Sequence, residues 1–85
     1  MKSPHIEFDR ITQGQLEAYM RAFRELGGKD ENIGLVEYAG AMVRAAVKVG
    51  LLELDVDNAR PKEIQAIHKS IQEYVKGVLE YDSKN

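Results

Sequence analysis

The sequence predicts an all-α fold, a compact three-helix domain preceded by a short extended segment. Three observations predict it. Apolar residues recur at three- and four-residue spacing over about 12–26, 33–49 and 61–81. Gly27-Gly28, Gly50 and Pro61 punctuate the chain between those stretches. Finally, the chain has 85 residues, 44% hydrophobic and 31% charged, which is room and material for one small globular domain spanning residues 1–85.

The run His5-Ile6-Glu7-Phe8-Asp9 alternates polar and apolar side chains, so it reads as extended. A strand there has no partner within the chain and would imply pairing with another subunit; extended coil is the simpler expectation. The first helix is expected to start at Thr12, where Thr12 and Gln15 have the spacing of a capping box and Ile11 and Leu16 that of a hydrophobic staple. Leu16, Tyr19, Met20, Phe23 and Leu26 then make one apolar face, which Gly27 or Gly28 terminates in the left-handed conformation.

The second helix is expected over 33–49, capped by Asn32 and stopped by Gly50. Its apolar arc is wide. Leu35, Ala39, Met42, Ala46 and Val49 form one row, and Val36, Gly40, Val43 and Val47 a second. A wide arc implies contact on two sides, which makes this the central helix. Gly40 in a helix interior costs about 1 kcal/mol against alanine, so close packing is expected to offset it. The third helix starts at Pro61, whose ring presets the backbone of a first helical residue, with Glu63 favourably placed in the first turn. Ile64, Ile67, Ile71, Tyr74, Val78 and Tyr81 continue it as a heptad-like seam, widened by Val75 and Leu79.

Composition excludes several kinds of chemistry. Cysteine is absent, so there is no disulfide framework, thiolate metal site or cysteine nucleophile. The formal charge is −2, from 12 basic and 14 acidic residues, which makes no strong field toward nucleic acid or anionic membrane. Acidic residues interrupt the N-terminal stretch where a secretory signal would need an apolar run. The longest apolar region, 35–54, carries Glu37, Arg44, Lys48 and Glu53 and cannot be a membrane span. A cytoplasmic location, in a bacterial or infected host cell, is the expectation.

Candidate sites fail on spacing. Glu53, Asp55 and Asp57 suggest a calcium loop, but an EF-hand starting at Asp55 requires a glycine and a glutamate where the chain has Arg60 and Ala66. His68 lies beside the apolar seam, and Ser70, two residues on, projects to another face, so no catalytic pair forms. Lys62, Lys69 and Lys76 share one helical face, but Glu73 and Glu80 each follow a lysine by four residues and can pair with it. A helix-turn-helix reading leaves the second helix too apolar to spare a base-reading face. No phosphate loop, nucleophile elbow or zinc-protease pattern occurs. No catalytic residue, cofactor or metal site is expected. The regular seam of helix three and the four tyrosines point instead to protein partners.

Three runs carry a family resemblance. They are Ile11-Thr12-Gln13-Gly14-Gln15-Leu16-Glu17-Ala18-Tyr19, the middle run from Gly40 through Met42, Arg44 and Lys48 to Leu52, and Arg60-Pro61-Lys62-Glu63-Ile64 with the helix that closes near Tyr81. Over about residues 11–81 the chain resembles tail assembly chaperone-like proteins of phages and prophages. Related sequences often carry a tryptophan after the glycine that ends the middle helix; this chain has Leu51 there. The resemblance implies a non-enzymatic assembly factor that binds a long, helix-rich tape-measure protein and keeps its apolar stretches soluble. The expected contact residues are Tyr38, Tyr74, Val78 and Tyr81. Two other functions compete: a self-associating structural protein that uses the same seam in a homo-oligomer, and a small nucleic-acid-binding regulator, against which the charge balance counts.

Overall fold

A computed structural model of the chain describes residues 6–83, with side chains described for residues 6–79. Three helices make up the fold: α1 (Gln13–Glu25), α2 (Leu35–Lys48) and α3 (Pro61–Ser83). Short 3-10 turns at Phe8–Arg10 and Val56–Asn58 precede α1 and α3.

Local chemistry sets the ends of α1. The Thr12 hydroxyl accepts from the Gln15 amide at 3.2 Å, and the Gln15 side chain accepts from the Thr12 amide at 3.0 Å, closing the expected capping box. At the other end Gly27, with φ of 83°, turns the chain in the left-handed region. The Gly28 amide donates to the Phe23 carbonyl and the Gly27 amide to Arg24, each at 3.0 Å, which is a Schellman motif. The same motif closes α2: Gly50 has φ of 81°, Leu51 donates to Ala46, and Gly50 donates to Val47.

The start of α2 differs from expectation. Its cap is Gly34, not Asn32, and no side chain caps it. The Asp30 carboxylate takes the Asn32 amide at 2.9 Å, and the Asp30 carbonyl takes the Ile33 amide at 3.2 Å. This Asx-type turn holds 30–33 outside the helix and delays its start by two residues.

The N-terminal segment also departs from an extended reading. Phe8–Arg10 forms a 3-10 turn rather than strand or extended coil, while His5 lies outside the described residues. Burial explains the turn: Ile6 is in the core, and Phe8 stacks on Tyr74 with ring centroids 5.0 Å apart. Ile6 and Phe8 thus line one apolar pocket with Tyr74 and Val75 of α3, and the turn at Phe8–Arg10 leads the chain to Thr12 at the start of α1.

As the wide apolar arc implies, α2 is central. It packs against both α1 and α3, which hardly touch each other. Val43, Ala45 and Ala46 are fully buried, and Ala39, Ala41 and Met42 nearly so. Ile64, Ile67 and Ile71 bring the N-terminal half of the α3 seam into this core, with Tyr19, Ala22 and Phe23 from α1. With a rise of about 1.5 Å per residue, 23-residue α3 outruns 14-residue α2 by roughly 13 Å, and its C-terminal half has little of α2 to pack on. The result is a slab of 41 × 35 × 19 Å.

Two positions on α2 correct the sequence reading. Leu35 lies on the apolar row by angle but is 86% exposed, and Val36 beside it is 74% exposed, so the first turn of α2 is left uncovered. Gly40 is not offset by packing, since a Cβ there would meet nothing within 4 Å. Gly40→Ala is therefore expected to raise stability by about 0.5–1 kcal/mol. Gly50→Ala is expected to lower it by about 1–2 kcal/mol, because its left-handed backbone disfavours any Cβ. Urea melts of the two variants at low protein concentration would show these opposite signs.

Candidate functional site

Between α1 and α3, which both pack on α2, lies a groove of about 830 Å³. Tyr19, Met20 and Phe23 of α1, Tyr38 and Met42 of α2, and Val75 and Leu79 of α3 give it an apolar lining. The α3 residues there are the two that widen its seam, not the seam itself, and the wide arc of α2 supplies Tyr38 and Met42. Lys29, Lys69, Glu73 and Lys76 stand around it. Among the described residues Lys29 and Lys69 make no ion pair, so the Lys69–Glu73 pairing allowed by spacing is not formed.

An aromatic chain runs along the floor. Tyr19 stacks on Phe23 at 6.3 Å, Phe23 meets Tyr38 edge-on at 5.5 Å, and Tyr38 meets the His68 ring edge-on at 5.5 Å. Such pairs add about 0.5–1.5 kcal/mol each beyond area burial. Burial, with a smaller contribution from nearby Tyr38, pushes the Tyr19 phenol well above its ordinary range. It stays protonated and uncharged at any physiological pH.

His68 is a boundary residue, as the sequence suggests. Its Nδ1 is buried without a hydrogen-bond partner, and burial pulls the imidazole below its ordinary value of 6.5. A lowered folded-state pKa means that the unfolded chain takes the proton more readily. The penalty is absent above about pH 6.5 and grows as pH falls through the folded-state value. Wild-type protein is therefore expected to lose more stability between pH 7 and pH 5 than His68→Gln, as read by urea midpoints at each pH.

The structure separates the four contact residues named from sequence. Tyr38 is half-buried in the groove between Phe23 and His68. Tyr74 is half-buried on another side of α3 under Phe8. Val78 is half-buried, and Tyr81 lies on α3 with its side chain outside the described residues. Sequence reasoning missed the large apolar side chains that face water most among the described residues: Leu35 at 86%, Val36 at 74% and Leu79 at 62% exposed. Periodicity could not find them, because it reports the face of a helix and not whether a neighbour covers that face.

The remaining candidates resolve into structural roles. Asp57 of the 3-10 turn pairs with Arg44 of α2, and Asp55 accepts from the Asn58 side chain at 2.6 Å, so two of the three acids of this loop are engaged within the fold. Among the described residues no cluster of histidine, aspartate and glutamate has the form of a metal site. No helix there is long and apolar enough to cross a membrane. No protein-family model, curated protein or solved structure matches the chain.

Proposed function

We propose that the chain is a non-enzymatic assembly factor, a phage or prophage tail assembly chaperone that holds a long helical tape-measure protein in the groove between α1 and α3. The observation that carries this reading is the groove itself: an open, apolar-lined trough beside an exposed Leu79. An amphipathic helix laid there buries its apolar face against Met20, Phe23 and Val75, the usual helix-in-groove mode of recognition. Lys29 and Lys69 favour a partner helix with acidic flanks. Weak contacts repeated by many copies along one long protein give useful avidity, and weak single contacts permit release. The work is done in the cytoplasm of the bacterial or infected cell.

Affinity capture from the native or infected cell, read by mass spectrometry, tests the proposal. Wild-type protein is expected to recover a very long helical tail protein. Met20→Glu and Leu79→Glu are expected to lose it while keeping the helical circular-dichroism spectrum. Recovery of the bait alone, or undiminished capture by both variants, overturns the reading. Leu79 serves this test better than Tyr38 or Tyr74, whose rings hold other parts of the fold in place.

A further inference from the structure

A second groove, about 530 Å³, lies on a different face of α2, beside the start of α3. Its floor is a stripe on α2, Glu37-Gly40-Ala41-Arg44, at i, i+3, i+4 and i+7. Leu26 and Val36 flank it, 39% and 74% exposed, so apolar surface stands in water beside the stripe. At Gly40 nothing among the described residues fills the space of a side chain.

We propose that this face docks a second copy of the same chain, with the two α2 helices antiparallel about a two-fold axis between Gly40 and Ala41. The charge pattern selects this occupant. Glu37 and Arg44 are equidistant from that point, three residues to either side of the Gly40–Ala41 pair. Antiparallel pairing therefore sets Glu37 of each copy against Arg44 of the other, twice over. Parallel pairing would set like charges together. Among the described residues Glu37 has no ion-pair partner, whereas Arg44 already holds Asp57 and has donors to spare for a second carboxylate. The absence of a side chain at Gly40 lets the helices approach, and Val36 and Leu26 leave water as they do. The inference does not depend on the proposed tail partner, which uses the other groove.

Analytical ultracentrifugation of the full chain, from micromolar to millimolar concentration, tests it. Wild-type protein is expected to form a dimer that weakens with added salt. Glu37→Arg and Arg44→Glu are each expected to raise the dimer dissociation constant about tenfold or more, since both pairs become repulsive. An equimolar mixture of these two variants is expected to associate again, because every contact across the axis is then opposite in sign. Arg44→Glu also loses the Asp57 pair, so helicity of both variants is checked, and Glu37→Arg decides if the other fails to fold. A wild-type monomer throughout the range, or a Glu37→Arg dimer as tight as wild type, overturns the proposal.

Discussion

Replacing Phe23 by alanine is expected to destabilise the fold by about 3–5 kcal/mol, the usual cost of emptying a buried aromatic site. The ring is 5% exposed and stands between Tyr19 and Tyr38, so both aromatic contacts are lost with it. An 85-residue domain has roughly 4–13 kcal/mol of stability in total. The variant is therefore expected to sit near the edge of folding, with a fall in Tm on the order of 15–30 °C. Thermal melts followed by circular dichroism would measure it. A fall of only a few degrees would mean that the three elements meeting at this ring do not depend on one another. The same substitution also removes part of the groove floor, so partner binding is expected to fail with it.

Gly28→Ala is expected to have the second-largest effect, about 1–3 kcal/mol or more, for a reason that conformational preference does not supply. The left-handed residue of this turn is Gly27, not Gly28. An ideal Cβ on Gly28 would instead overlap the Phe23 ring. Tyr19 and Tyr38 hold that ring from other sides, so it cannot swing away cheaply. A double-mutant cycle isolates the clash: in a Phe23→Leu background the cost of Gly28→Ala is expected to shrink by about 1 kcal/mol or more. Equal costs in both backgrounds would assign the effect to the backbone and contradict the packing account. Adjacent glycines thus serve different purposes, one turning the chain and one making room for a side chain five residues back.

These two residues show where the sequence was legible. The capping box of Thr12 and Gln15, the stops at Gly27 and Gly50 and the start at Pro61 all appear in the structure where local spacing puts them. Each is made by groups within about five residues of one another, so each can be read from a short window. The start of α2 is the instructive exception. Asn32 suits a cap by type, but Asp30 accepts from the Asn32 and Ile33 amides, and that turn holds 30–33 outside the helix, so the cap falls at Gly34.

What the sequence determined by itself is the set of three helices, most of their ends and the central place of α2, because capping, glycine stops and apolar periodicity act at short range. What only the tertiary structure decided is which apolar surface stays open. Tyr74 was covered by Phe8, while Leu35 and Leu79 were left exposed despite lying in apolar patterns. A Cβ on Gly28 would overlap the Phe23 ring, whereas one on Gly40 would meet no neighbour among the described residues, although both are simply glycines in the chain. The grooves follow from how the helices pack: α1 and α3 both lie on α2 with few close approaches of their backbones, and α3 is longer than α2. Burial is a relation between elements far apart in sequence, and no pattern within one helix reports it.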